Sequence, residues 1–138
     1  MSTIDNNVKK ILEAALYRYY DALKHGEMQT LSALMTRDSY HLTLETLGFK
    51  RAFKDARFKT LLKKIDEDAE ALKEVENILS ADLAAEAREH EIKPFDFESK
   101  GTDRITLHFK EDGHPKKLYF SSPLGRWTID YKAGRQTS

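Results

Sequence analysis

Five histidines are the residues best suited to acid–base chemistry or metal binding near neutral pH. They are His25, His41, His90, His108 and His114. No two of them have the H-x-H or H-E-x-x-H spacing that places two imidazoles on one metal ion. His108 lies between Leu107 and Phe109, so strand alternation directs it away from the apolar residues. We therefore predict surface or interface histidines and no metal site.

Carboxylates are the second group that could catalyse a reaction, because an apolar cavity can tune a carboxyl pKa for proton transfer. Asp96 and Asp130 each lie between two apolar residues of a predicted strand, and alternation turns both away from the apolar face. Glu45 is a candidate acid only if residues 40–47 line a pocket. The sequence therefore identifies no firm catalytic residue.

Motifs for covalent or cofactor chemistry are missing from the sequence. It has no cysteine, which excludes thiolate catalysis and cysteine-bound metals. The serine-nucleophile pattern Gly-x-Ser-x-Gly, the Gly-x-Gly-x-x-Gly fingerprint and the P-loop are also missing. We predict that the protein uses no cofactor.

Composition and charge describe a globular protein of 138 residues with 23 basic and 23 acidic residues. This balance gives no reason to expect a nucleic-acid or membrane partner. The first residues have no basic and apolar signal pattern, and no run approaches the ~20 apolar residues of a membrane span. We predict a cytoplasmic protein with one domain over residues 1–132 and a flexible tail over residues 133–138.

The last quarter of the chain alternates apolar and polar residues in three runs, which predicts β-strands with one apolar face. The apolar positions are Ile105, Leu107 and Phe109, then Leu118 and Phe120, then Trp127, Ile129 and Tyr131. Asp112-Gly113 and Pro123-Leu124-Gly125 predict turns between the runs. Residues 92–99 add a strand at an edge that can accommodate Pro94. We predict a four-stranded antiparallel meander.

Helical spacing dominates the first 90 residues. An apolar stripe from Ile4 to Leu23 predicts a long helix, with Ser2, Thr3 or Asp5 as its N-cap and Gly26 at its C-terminal end. A second helix is predicted over residues 27–36. The segment 40–47 fits a strand or a helix, and Ser39 as a cap with Gly48 as a stop favours a short helix. Residues 57–88 predict a helix or helix pair with a bend near 65–66. The fold class is therefore α+β, with N-terminal helices packed on a curved C-terminal sheet.

Two local stretches have a pattern found in a known family: one runs from Tyr19 through Gly26-Glu27-Met28 to Met35-Thr36, and the other is Gly125-Arg126-Trp127-Thr128-Ile129. Together they resemble the nuclear-transport-factor-2-like superfamily. The resemblance implies a curved sheet that wraps the long first helix as a cone, here in a helix-rich bacterial-type member. The superfamily includes isomerases, dehydratases, small-molecule binders and interaction modules, so it does not fix the activity.

A pocket between the first helix and the sheet would be rich in aromatic residues, which suit a small apolar ligand. The alternative is a filled core with tyrosine hydroxyls at its rim. We predict ligand-binding residues at Tyr20, Tyr40, Phe97 and Trp127. The favoured function is a non-catalytic binding or interaction module, and the alternative is a small lyase or isomerase acting in the cone pocket.

The polar face of the predicted sheet carries few lysines and glutamates, unlike most solvated strand faces. A face with hydroxyl, histidine and tyrosine side chains is typical of one that meets a second copy of itself. We therefore predict a homodimer, with Thr106, His108, Tyr119 and Thr128 in the interface.

Overall fold

The computed structural model describes residues 4–135, and within them the chain has an α+β fold of helices followed by a sheet. The elements are α1 (Asn6–His25), α2 (Met28–Leu34), α3 (Arg37–Lys54), α4 (Ala56–Leu62), α5 (Ala69–Ala85), β1 (Ile92–Ser99), β2 (Arg104–Glu111), β3 (His114–Ser121), β4 (Thr128–Ile129) and α6 (Tyr131–Arg135). The predicted fold class is confirmed. No helix in this part of the chain is both long and apolar enough to span a membrane.

Local signals determine both ends of α1. Asp5 is its N-cap, and the carboxylate accepts a hydrogen bond of 2.7 Å from the Asn7 N–H. Gly26 ends the helix with φ of 67°, a left-handed conformation that glycine adopts without steric cost. The predicted ends are confirmed, although the alternative caps Ser2 and Thr3 lie outside the described residues. α1 packs against α2, α5 and β1.

α3 is one continuous helix, so the prediction that Gly48 ends a short helix is wrong. Thr36 is the N-cap of α3, and the helix continues past Gly48 to Lys54. A Cβ atom at Gly48 would lie 2.9 Å from Cε2 of the buried Phe58 ring. The glycine therefore permits α4 to approach α3 closely, which is a tertiary role that local sequence does not reveal.

The helical region from residue 57 onward is a pair, α4 and α5, as the sequence allowed. A turn at residues 63–67 separates the two helices and includes the predicted bend. Asp68 then starts α5 as its N-cap, and its carboxylate accepts hydrogen bonds from Glu70 N–H and Ala71 N–H. α4 packs on α3, while α5 packs on α1, α3 and α4.

The sheet is an open antiparallel meander in the order β1-β2-β3-β4. Residues that pair directly share a face, and Leu107 pairs with Leu118 while Ile105 pairs with Phe120. We call this the inner face. Phe109 lies on it too, and its ring is 5.9 Å from the ring of Tyr20 on α1. The core therefore lies between the helices and the inner face of the sheet.

Two details of the strands differ from the prediction. The register shifts between Pro94 and Asp96, and this bulge leaves Phe95 half exposed beside His108 instead of in alternation with Phe97. β4 contains only Thr128 and Ile129, and α6 begins at Tyr131. Trp127 and Tyr131 are therefore not in a strand. α6 also includes the first part of the predicted tail, whereas residues 136–138 lie outside the described range.

Candidate functional site

The four predicted ligand-binding residues lie against different neighbours. Tyr20 contacts Phe109 and the ring of His90, at a centroid distance of 6.1 Å. The Tyr40 hydroxyl donates a hydrogen bond to the Glu76 carboxylate on α5. The other two are Phe97, whose ring lies 5.7 Å from Lys9 Nζ, and the half-buried Trp127. No cleft described below contains more than one of the four.

A different set of tyrosines lines a cleft of about 420 Å³ between α1, α3 and the end of the sheet. We call it the tyrosine cleft. Its walls are Tyr19, Leu42, Thr43, Thr46, Leu47, Tyr119 and Tyr131. Its volume lies within the range of small-molecule sites, roughly 300–1,000 Å³. It therefore occupies the general region predicted for an apolar ligand, although its residues are not the predicted ones.

The Tyr19 and Tyr131 hydroxyl groups in this cleft are held by long contacts. The Tyr19 and Tyr131 hydroxyl oxygens are 3.5 Å apart, and Thr43 Oγ1 is 3.4 Å from the Tyr131 hydroxyl. Hydrogen bonds between hydroxyls are normally about 2.5–3.0 Å long. Thr43 makes its shorter bond, 2.9 Å, to the Ser39 carbonyl oxygen. The two tyrosine hydroxyls therefore retain most of their capacity to bond a ligand.

The ionisation of Tyr19 follows from its environment. Burial raises the pKa of Tyr19 well above its ordinary value, and the neighbouring Tyr131 raises it further. The hydroxyl is consequently neutral at physiological pH, and it can both donate and accept a hydrogen bond. The cleft thus offers neutral hydrogen-bonding groups above leucine walls rather than a fixed charge of its own.

Ser39 holds Tyr131 in place at the cleft. The Tyr131 backbone N–H donates a 2.9 Å hydrogen bond to Ser39 Oγ, which also accepts a 2.7 Å bond from Thr36 Oγ1. Nearby, the Thr36 N–H donates to the Ile129 carbonyl oxygen at 2.9 Å. The start of α3 is therefore joined to the end of the sheet and to the first residue of α6.

A second cleft of about 300 Å³ lies beside α3, the α4–α5 turn and α6, and we call it the acidic cleft. Its walls are Asp38, Ser39, His41, Leu42, Glu45, Asp66, Tyr131 and Lys132. His41 is buried, and its Nδ1 atom forms a hydrogen bond with the Asp66 carboxylate. Lys132 Nζ is 2.6 Å from Asp38, and it lowers the pKa of that exposed carboxyl. Glu45 does line a pocket, which was the condition for its candidacy as an acid.

Two further clefts of about 660 and 540 Å³ share Tyr20, Lys24, Arg88 and His90. Beside them are two groups of side chains whose potential metal-binding atoms lie within 4.8 Å of one another. The first group is His90, Glu111 and Asp112, and the second is Asp21, His25 and Glu27. The first group is already bonded internally. His90 Nδ1 is 2.7 Å from Asp112, whose carboxylate also accepts from the Glu91 N–H at 2.8 Å. These bonds join the start of β1 to the β2–β3 turn.

The predicted interface residues share the outer face of the sheet, opposite the inner face. Thr106 pairs with Tyr119, His108 lies two residues further along β2, and Thr128 pairs with Ser121 on the same face. Tyr119 also lines the tyrosine cleft. His108 Nε2 is 3.1 Å from Glu98, while Phe95 adds an exposed aromatic ring at this face.

Comparison of the chain with family models, curated proteins and solved structures finds no significant match. The residues missed by sequence reasoning are Tyr19, Tyr131 and His41. All three types were visible in the sequence, but their proximity depends on the position of α3 against the sheet and α4–α5 turn, which no local pattern encodes.

Proposed function

We propose that this protein is a non-catalytic binding module that holds a small, largely apolar ligand in the tyrosine cleft. The observation that carries this proposal is the pair of tyrosine hydroxyls, 3.5 Å apart, above the leucine walls of a 420 Å³ cleft. A ligand oxygen or nitrogen placed between the hydroxyls would exchange long contacts for bonds of normal length. Apolar walls with a few converging polar groups are typical of small-molecule sites.

A blocking substitution at the rim tests this proposal with 2-phenylethanol as the probe. Thr46 is exposed, and Thr46→Trp would place a large side chain in the cleft. Thr60→Trp is the matched control, because both threonines are exposed on helices and donate to the carbonyl four residues earlier. Isothermal titration should show saturable binding to the unmodified protein and to Thr60→Trp, and at least tenfold weaker binding to Thr46→Trp. Equal binding to both variants would refute the proposed site.

We propose that two copies associate through the outer face of the sheet. The support is the common face of His108 and Thr128, together with the exposed ring of Phe95 beside His108; Thr106 shares this face but is already buried within one copy. Sedimentation should show a dimer at micromolar concentration. His108→Glu should shift it to monomer by adding charge at a twofold seam, whereas His114→Glu, at the exposed end of β3, should not. A monomeric unmodified protein would end this proposal.

A small lyase or isomerase is the second candidate, and the His41–Asp66 pair favours it. A carboxylate bonded to Nδ1 fixes the histidine tautomer, which leaves Nε2 available as a base. Glu45 in the same cleft is a candidate acid. Prolonged incubation with 2-phenylethanol and its amine analogue, followed by proton NMR of the recovered compounds, distinguishes the candidates, because NMR detects an isomer of unchanged mass as well as a lyase product. A binding module returns both compounds unchanged, whereas conversion that His41→Gln abolishes would favour the enzyme.

We propose that the protein is a helix-rich member of the nuclear-transport-factor-2-like superfamily. Support comes from an open antiparallel sheet at the end of the chain with the long α1 against its inner face. The insertion of α3, α4 and α5 between α2 and β1 is where it departs from the expected pattern. An experimental structure in which the sheet does not curve around α1 would contradict the assignment.

A further inference from the structure

The wall residues of the tyrosine cleft carry five hydroxyl groups, and only two of their protons have a strong acceptor. The Thr43 hydroxyl donates to the Ser39 carbonyl oxygen, and the Thr46 hydroxyl donates to the Leu42 carbonyl oxygen, both at 2.9 Å. In the described part of the chain, no carbonyl or carboxylate oxygen accepts from the three tyrosine hydroxyls of the cleft, those of Tyr19, Tyr119 and Tyr131. The cleft therefore has more donors than strong acceptors.

The protons of Tyr19 and Tyr131 have only other hydroxyl groups within reach. Thr43 already donates its one proton to a backbone carbonyl, so its oxygen can act towards Tyr131 only as an acceptor. That contact is 3.4 Å long, and the two tyrosine oxygens are 3.5 Å apart. Both distances exceed the length of a normal bond between hydroxyls, about 2.5–3.0 Å. A ligand that supplies an acceptor can therefore gain two hydrogen bonds here.

One ligand atom can accept both protons. Because the Tyr19 and Tyr131 oxygens are 3.5 Å apart, an atom between them can lie about 2.8 Å from each, which is a normal hydrogen-bond length. A carbonyl oxygen has two lone pairs and no proton, so it accepts both bonds and brings no donor of its own. An alcohol oxygen brings a further proton to a cleft that already has too many. Either that proton or a tyrosine proton is then left without a good acceptor.

The charge of the wall indicates a neutral ligand. The residues that line the tyrosine cleft are tyrosines, threonines and leucines, and none of these described wall residues is charged. A carboxylate would find donors but no cation beside the leucines, and burial of an unpaired charge is costly. An ammonium group would bring three more donors and find no carboxylate.

We infer that the ligand is a neutral carbonyl compound, a ketone or an ester, whose carbonyl oxygen accepts hydrogen bonds from the hydroxyls of Tyr19 and Tyr131. This inference rests on the proposed function, because it requires that the tyrosine cleft bind a ligand. It adds the functional group of the ligand and the two residues that recognise it. The apolar body of the ligand packs against Leu42 and Leu47.

A matched pair of probes tests the functional group: 4-phenylbutan-2-one and both enantiomers of 4-phenylbutan-2-ol, which differ only at the carbon that carries the oxygen. Titration calorimetry should show the ketone binding about fivefold more tightly than either alcohol, which is the effect of about one hydrogen bond. This comparison uses the unmodified protein, so it does not depend on the folding of a variant.

Removal of the hydroxyls tests the two residues. Tyr19→Phe and Tyr131→Phe each delete one donor and keep the ring, so each should weaken ketone binding at least threefold. The double variant should bring the ketone to within about twofold of the alcohols. Tyr17→Phe is the matched control, because Tyr17 is also on α1 but its hydroxyl donates to the Ile92 carbonyl oxygen at 3.4 Å, outside the tyrosine cleft. It should change neither affinity.

Carbon-13 NMR of the ketone, labelled at its carbonyl carbon, gives a readout other than affinity. A hydrogen bond to the oxygen draws electron density from the carbonyl carbon and moves its signal to higher frequency. The signal of the bound ketone should therefore move to lower frequency in each single variant and further in the double variant. Tyr17→Phe should leave it in place.

The outcomes separate this inference from the proposed function. Alcohol binding equal to or tighter than ketone binding would overturn the carbonyl inference and leave the proposed function standing. A ketone preference that survives the double variant, or a carbonyl signal that the variants do not move, would overturn the roles of Tyr19 and Tyr131 and with them the inference. If neither these probes nor 2-phenylethanol binds, the proposed function fails and the inference fails with it.

Discussion

Gly48→Ala should have two opposite effects on the free energy of unfolding, one from helix propensity and one from packing. In a free helix, alanine is more favourable than glycine by about 1 kcal/mol. In this protein the new Cβ would lie 2.9 Å from Cε2 and 3.0 Å from Cζ of Phe58, whose ring is fully buried and cannot move away into solvent. Overpacking in a closed core costs about 1–3 kcal/mol. We expect the free energy of unfolding to fall by about 1 kcal/mol, the difference between these effects.

Urea denaturation followed by circular dichroism measures this change as a lower midpoint at constant slope. The control is the same substitution in a Phe58→Leu background, where the smaller side chain removes the two close contacts. There, Gly48→Ala should be neutral or stabilising, and the difference between the backgrounds is the coupling energy. If Gly48→Ala stabilises the unmodified protein as it would a free helix, the close packing of α3 on α4 is refuted.

Three further predictions concern stability. Trp127→Ala should cost less than Phe120→Ala, for which about 3–5 kcal/mol is expected, because Trp127 is partly exposed whereas Phe120 is fully buried; urea midpoints compare them. Ser39→Ala should cost about 1–3 kcal/mol by leaving the first N–H of α6 without its partner, and it should also weaken 2-phenylethanol binding in calorimetry. Arg51 lowers the pKa of the Asp82 carboxyl, so this ion pair stabilises the fold above the unfolded-state pKa of about 3.9 and is lost as pH falls through the lower folded value. Asp82→Asn should therefore destabilise the protein at pH 7 and have less effect near pH 2; equal effects would contradict the pair.

The parts of the fold that sequence predicts well are those determined by local chemistry. Asp5 and Gly26 mark the ends of α1 because a capping carboxylate and a left-handed glycine act on their own helix. Gly48, like Gly26, is a glycine that follows apolar residues at helical spacing. Its role is different, because the Phe58 ring of α4 packs against it and leaves no room for a side chain. A residue type that serves both local and tertiary purposes cannot be assigned from spacing alone.

The tyrosine cleft lies between α1 and the sheet, where the sequence predicts a pocket, but its walls are not the residues predicted to bind a ligand. Tyr19 and Tyr20 are adjacent on α1, so their side chains diverge by about 100° around the helix. Tyr20 turns to Phe109, and Tyr19 turns to the cleft beside Tyr131. Which tyrosine meets the cavity depends on how α3 lies against the sheet. The bulge that turns Phe95 to the outer face is likewise a sheet-level feature that alternation does not reveal.

Methyl-group NMR during titration with 2-phenylethanol tests the central claim most directly. Leu42 and Leu47 line the tyrosine cleft, whereas Leu124 is exposed in the β3–β4 turn and Leu79 is buried in α5. We expect saturable shifts of the Leu42 and Leu47 methyl signals, with Leu79 and Leu124 unchanged. Saturable binding that leaves Leu42 and Leu47 unshifted, or no saturable shift at any leucine, would contradict the claim that this cleft is the binding site.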